Sequence, residues 1–400
     1  MYDMISVLNQ QEVILMKKWV TAFTLPQYVN EPYFGGGETT MRLIIPVNVY
    51  GDRIRIRISN ASESRTGVME EMTVARCDKD GNILNDSIET VAFLSETHAI
   101  KISPQSSLAS EEITFEVHPG DFLAVSVYCR EEPISVGGIG NYVMMPVSKG
   151  NYCRENFVDE NDYHLIEEQY HQPMMWQFPY FHALDVMTEN EVAVISCLGD
   201  SVTMQTKWFK PLQEYIYASY PGQICLTNYG ICGNRLLSDA ETDMPMMGKA
   251  ALKRVEWDCF SDYGVTHILF AMGVNDIGHG KWEEGRFLPT KEEFEIGCLD
   301  LKERAHQRGI VLAAFSIYPV ELGAEQENIR QKFNQVIKSE AFDACIDLDS
   351  ILMDTEKGGY LEGYSMDGIH LTEYGGACMI RDLDKEELKR IIYMRYKKKI

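Results

Sequence analysis

The sequence predicts two folds in one chain: an antiparallel β-sandwich over residues 1–187, then a doubly wound parallel α/β sheet over 188–400. Three observations carry that division. Residues from about 40 to 187 alternate apolar and polar with period two, short wholly apolar runs take over after 188, and segments of helical period separate those runs. A chain of 400 residues is also too long for one ordinary core.

In the first half, Arg53-Ile54-Arg55-Ile56-Arg57-Ile58 sets three isoleucines on one face of a strand and three arginines on the other. Antiparallel sheets commonly keep one wet face, so the arginines are expected in solvent. Ile113-Thr114-Phe115-Glu116-Val117 repeats the alternation, His118-Pro119-Gly120-Asp121 supplies a turn, and Phe122 to Tyr128 forms the next strand. Short strands broken by turns, with little helical periodicity, make a sandwich.

In the second half, Val192–Leu198, Ile224–Thr227, Thr266–Met272, Ile310–Ile317 and Cys345–Leu348 read as strands buried on both faces. Pro211 is placed to open the first full helix. Thr290-Lys291-Glu292-Glu293 is a capping box, followed by Phe294, Cys298, Leu301 and Ala305 on one helical face and Gly309 as the terminator. Ile329, Phe333, Val336 and Ile337 mark another amphipathic helix. Strand and helix in alternation mean a doubly wound sheet. The link near 184–190 is expected to be exposed, with the two halves separable in folding.

Composition removes several classes of function. A formal charge of −23 repels nucleic acid and anionic membranes, so neither is an expected partner. No stretch approaches the roughly 18 apolar residues of a membrane span. Lys17-Lys18 follows the first apolar segment instead of preceding it, which argues against a secretion signal. Ten cysteines without C-x-x-C spacing suggest reduced thiols and a cytoplasmic protein. G-x-S-x-G, H-E-x-x-H and G-x-x-x-x-G-K-[ST] are all absent. Asp200, Asp276, His279 and His370 fit no metal-ligand spacing, so neither metal nor cofactor is expected. His267 falls inside a strand and reads as a packed histidine.

Open parallel sheets bind ligands outside the carboxyl ends of their strands. The segments after the strands are therefore the ones to inspect. Gly199-Asp200-Ser201 follows the first strand, and Asn228-Tyr229-Gly230-Ile231-Cys232-Gly233-Asn234 the second. Gly273-Val274-Asn275-Asp276 follows the third, and Asp367-Gly368-Ile369-His370 precedes the last helices. Each piece alone is ordinary turn chemistry. Together they hold what acyl transfer needs. Ser201 can act as nucleophile and His370 as its base, with Asp367 three residues away to fix the imidazole tautomer. The N–H groups of Ser201 and Gly233 and the amide of Asn275 can form an oxyanion hole, glycine at 233 letting its amide approach without a Cβ. Trp208, Trp282 and Tyr364 flank these loops and could line a cleft or simply pack.

These four segments jointly resemble blocks I, II, III and V of the SGNH (GDSL-type) hydrolases, across about 188–385. The resemblance places the family's four invariant residues on Ser201, Gly233, Asn275 and His370, with Asp367 completing a triad. It implies a flavodoxin-like catalytic domain. Val202 departs from the leucine of the family name at a position without chemistry. Trp19–Ala22, Gly51–Asn60 and Phe181–Val186 are more loosely similar to the N-terminal β-domain of a two-domain subgroup. The expected activity is a metal-independent serine esterase acting on short acyl groups, acetyl foremost, of a small-molecule or oligosaccharide ester. A lysophospholipase or thioesterase with the same residues is the alternative, and an inert carbohydrate-binding protein the second. Oligomeric state is not legible.

Overall fold

The structure, a computed structural model, describes residues 16–29, 37–84, 87–93, 99–138, 140, 144–155, 177–241, 244–278 and 287–395. His279 and Trp282 lie outside the described residues, as does the N-terminal stretch before Met16.

The first half is β-rich and antiparallel. Its principal strands are β1 (Lys18–Thr24), β2 (Thr39–Pro46), β3 (Gly51–Asn60), β4 (Glu71–Cys77), β5 (Ile113–Val117), β6 (Phe122–Cys129) and β7 (Phe181–Thr188). One sheet runs β1-β7-β3-β5, with Ser106–Ala109 also pairing β3; the other places β2, β6 and β4 side by side between two short outer strands. Ile54, Ile56 and Ile58 of the first sheet and Leu43, Val125 and Val127 of the second meet in one buried apolar cluster. The turn at His118–Asp121 carries the chain from one sheet to the other, with Gly120 at φ +94°.

The second half holds β8 (Ala193–Gly199), α1 (Ser201–Met204), α2 (Phe209–Ser219), β9 (Ile224–Gly230) and β10 (Val265–Ala271). Then come α3 (Lys291–Gln307), β11 (Val311–Phe315), α4 (Ala324–Ile337), β12 (Ala344–Ile346), α5 (Glu373–Asp382) and α6 (Lys385–Tyr393). The five strands form a parallel sheet in the order β9-β8-β10-β11-β12. This is the flavodoxin-like 2-1-3-4-5 winding, whose ligand crevice opens where the order reverses. The Thr290–Glu293 capping box forms as its spacing predicts, and Gly309 ends α3 at φ +76°. His267 is buried within β10, its Nδ1 2.7 Å from Thr266 Oγ1.

One expectation fails. The arginine face of β3 is not uniformly wet: Arg53 is half exposed, but the side chains of Arg55 and Arg57 retain only 16% and 9% of their surface. The α/β half covers that face. Arg57 Nη1 donates to Ser261 O at 3.3 Å and Nη2 reaches Asp262 Oδ1 at 3.5 Å, while Asp185 of β7 pairs with both arginines. Thr21 N donates to Tyr263 O and Thr24 Oγ1 to Asn228 O, while Asn48 Nδ2 donates to Tyr220 O and Ile224 O. Residues 184–188 are strand, so the exposed part of the link is Glu189–Glu191.

His182, on β7 at this junction, is wholly buried, and burial and then the nearby Arg57 charge push its pKa down to about 3. The unfolded chain binds a proton there near the ordinary histidine value of about 6.5, whereas the folded chain does not. Stability contributed by a neutral His182 is therefore full above about pH 6.5 and drains away as pH falls toward 3. Between pH 7 and 5 the loss is on the order of 2 kcal/mol. Urea titrations of wild type and His182→Phe at both pH values should show a gap that shifts in favour of the variant on acidification. A gap independent of pH would remove His182 from the acid response.

Candidate active site

Ser201 stands one residue past β8, at the start of α1. Asp200 caps that turn, its Oδ1 accepting from Val202 N at 3.0 Å. Burial pushes the Asp200 carboxyl up to about 6, against the Val202 N–H and the nearby His370, which favour its charge. The first N–H groups of a helical turn have no intrahelical partner, so the Ser201 amide is a donor by construction.

The loop before α5 delivers the other two groups. Ser201 Oγ lies 2.9 Å from His370 Nε2, and His370 Nδ1 lies 2.6 Å from Asp367 Oδ2. A carboxylate only accepts, so Nδ1 carries the proton and Nε2 is left to accept from the serine hydroxyl. Asp367 Oδ1 also accepts from the backbone N–H of Ile369 and His370 at 2.9 and 2.7 Å. Partial burial favours the neutral Asp367 acid, but the hydrogen bonds from His370 and Ile369 outweigh it and hold the carboxyl below the ordinary range. Tyr360 OH donates to Ile369 O and Glu321 N to Gly368 O, pinning the loop from outside.

Sequence-chosen residues thus meet: Ser201, His370 and Asp367 form one hydrogen-bonded line. Gly233 and Asn275 sit on the loops after β9 and β10, flanking β8 in the sheet. Asn275 is buried, its Nδ2 donating to Asn234 O at 3.1 Å, beside Gly233. The reason for glycine at 233 differs from the expected one. Its φ is +67°, and a Cβ there would stand 2.7 Å from Met247 Cγ, so the turn itself demands glycine. Trp208 is fully buried with its ring edge-on to Phe209 and Phe315, which makes it core; Tyr364 is also buried.

Sequence reasoning missed the residues that hold these loops in register. Arg254 is buried and its Nη2 donates to Gly199 O and Tyr229 O, both at 2.9 Å, while Nε donates to Asn234 Oδ1 at 2.9 Å. One guanidinium therefore ties the strand end before Ser201 to the loop carrying Gly233. Asp276 adds a second tie, accepting from Leu236 N, and burial pushes its carboxyl up to about 7. No spacing marks Arg254; it sits in an unremarkable Ala-Leu-Lys-Arg turn. The β-half contributes too. A Cβ on Gly138 would lie 2.6 Å from Met204 Sδ, so the end of Ser135–Gly138 packs directly on α1.

A profile of the GDSL-like lipase/acylhydrolase family matches residues 197–377, a span that contains all five of these site residues. This half of the chain is a GDSL-like acylhydrolase domain. The protein is a serine ester hydrolase. Solved structures similar to the GDSL-like half include a G-D-S-L family lipolytic protein from Desulfitobacterium hafniense, at 18% identity over 50% of this chain and 98% of that one, TM-score 0.35. An acetyl xylan esterase from Geobacillus stearothermophilus matches at 18% identity over 50% and 94%, TM-score 0.38. The esterase EstA from Pseudoalteromonas matches at 20% over 49% and 97%, TM-score 0.34. Among curated proteins no sequence relative matches. Among the described residues, no helix is long and apolar enough to cross a membrane.

Proposed function

We propose that the protein hydrolyses short-chain acyl esters, acetyl foremost, carried on a carbohydrate alcohol. The observation that carries the chemistry is the Ser201–His370–Asp367 line, with contacts of 2.9 and 2.6 Å. Ser201 Oγ attacks the ester carbonyl as its proton passes to His370 Nε2, and Asp367 stabilises the imidazolium that results. The carbonyl oxygen, now anionic, is met by the N–H groups of Ser201 and Gly233 and by Asn275 Nδ2. Collapse expels the alcohol, which takes the proton from His370 and leaves an acyl-serine. Water then attacks that acyl group, giving its proton to His370, and the acid departs as Ser201 Oγ is reprotonated. No step needs a metal or cofactor.

The substrate reading rests on the loops. Gly199–Lys207, Gly230–Ser238 and Tyr360–His370 are mostly polar and glycine-rich, and among the described residues of these three loops Met366, 88% exposed beside Asp367, is the one exposed large hydrophobic side chain. Long acyl chains need an apolar groove or patch. All ten cysteines are free thiols, eight of them buried, which suits a reducing cytoplasm. A fluorophosphonate probe is expected to label Ser201, which an inert binding protein would not allow. Rates on p-nitrophenyl esters should then fall steeply from acetate to octanoate, and acetylated sugars should be cleaved faster than lysophospholipids or acyl-CoA thioesters. A preference for eight or more carbons would overturn the short-chain reading in favour of lipid.

A further inference from the structure

A cavity of about 380 Å³ lies between the two halves, away from the serine. Its walls come from Gln27–Val29, Ser59–Ala61 and Gln105–Ser107 on one side and from Ile231, Asp239–Glu241 and Arg254–Asp258 territory on the other. None of Ser201, Gly233, Asn275, Asp367 or His370 lines it. Its volume falls in the range of about 300–1,000 Å³ typical of small-molecule sites, and domain junctions are where such sites concentrate.

Charge decides the class of occupant. Four carboxylates line the cavity, and each is already matched by a base: Glu63 with Lys249 at 3.2 Å, Glu241 with Arg235 at 3.3 Å, Asp258 with Arg254 at 2.6 Å and Asp239 with Lys253 at 2.5 Å. His182 at the wall is neutral, since burial first and the Arg57 charge second push its pKa down to about 3. The wall is therefore charge-balanced, with more of its surface apolar than polar. An anion would meet carboxylates, and a cation would have to break an existing pair. What remains is hydrogen-bonding chemistry, from the Ser59 and Ser107 hydroxyls and the accepting oxygens of Ser106 and Gln105, whose donors already serve Ser103 O and Glu63 Oε1, together with an aromatic face. That face is Trp257, 58% exposed although it lines a cavity, with Lys249 Nζ 5.6 Å from its ring centre on one side. A large aromatic side chain left in water beside hydroxyls and amides is a stacking platform for the C–H face of a pyranose.

We propose that this cavity binds a neutral, hydroxyl-rich sugar unit stacked on Trp257. The β-half then supplies one wall of a second sugar site instead of serving only as packing for the hydrolase. Because no catalytic residue takes part, the site stands or falls independently of the assigned nucleophile.

Calorimetry on the full chain carrying Ser201→Ala tests it, with cellobiose and xylobiose as neutral probes, glucuronate as the anion and spermidine as the cation. The neutral sugars should bind with a single saturating isotherm. Trp257→Ala should weaken that binding about tenfold, the size of one stacking contact. Ser107→Tyr, which narrows the cavity from the opposite, exposed wall, should weaken it as well. Circular dichroism and the thermal midpoint should match the parent in both variants, since both positions are exposed. Absence of neutral-sugar binding would overturn the proposal. So would binding that survives both substitutions, which would put the sugar elsewhere, or tighter binding of glucuronate or spermidine than of either disaccharide.

Discussion

Ser201→Ala is expected to lower kcat on p-nitrophenyl acetate by on the order of 10⁶-fold while leaving the fold unchanged. The side chain is small and 4% exposed, and its hydroxyl meets His370 Nε2, so its loss removes a reactant and opens no cavity of consequence. Members of such a line act as a unit. Asp367→Asn cannot accept from Nδ1–H at both its terminal atoms, so the imidazole loses its fixed tautomer and kcat should fall about 10⁴-fold. Asn275→Ala removes a donor that matters once the oxyanion exists, so kcat should fall about 10²–10³-fold with KM little changed. That graded order is the signature of the assignment. Rates measured with each purified variant, alongside fluorophosphonate labelling, check it. If Ser201→Ala kept activity within tenfold of wild type, the nucleophile would have to be sought on another loop.

Legibility in the sequence followed a physical rule. The five parallel strands could be read because each is buried on both faces, so nearly every residue from Val194 to Leu198 or from Ile268 to Ala271 had to be apolar. The candidate site could be proposed because the winding order obliges the loops after β8, β9 and β10 to share one rim, and serine, glycine and asparagine stand there. What could not be read depends on surfaces far apart in the chain. Arg254 looks like any helical arginine until its guanidinium is seen between Gly199 O and Tyr229 O, 55 and 25 residues away. Gly233 stands on the loop the sequence indicated, but its constraint comes from Met247, which no local pattern announces. The arginine face of β3 failed for the same reason. Alternation says which residues share a face, not what covers it.

That covered face sets the largest expected effect on stability. Arg57→Ala should cost about 3–5 kcal/mol, because it breaks a buried ionic network from one side. Arg57 Nε and Nη2 bond Asp185 at 3.0 and 3.2 Å, Nη2 bonds Thr21 Oγ1 at 3.0 Å, and Nη1 bonds Ser261 Oγ at 3.1 Å. Asp185 would keep Arg55 and Thr21 as partners. Asp262 would keep hydrogen bonds from Ser196, Thr227 and Tyr229 but lose its cation. Its carboxyl is already pushed up to about 6 by burial, with Arg57 the strongest opposing influence. Removing Arg57 raises that value further. A raised carboxyl penalises the fold as it ionises, so the deficit of the variant should grow as pH rises from about 5 to 8. Arg53→Ala is the internal control: same strand face, but half exposed and paired with an equally exposed Glu112, so its midpoint should stay close to that of wild type. Urea midpoints of the two variants at pH 5 and 8 decide the matter. Equal midpoints for Arg53→Ala and Arg57→Ala would mean that the junction is wet in solution and that the two halves stand without this network. A gap that widens with pH would mean that the hydrolase half, by covering the sheet, turns a solvent-facing pattern into the ionic core of the junction.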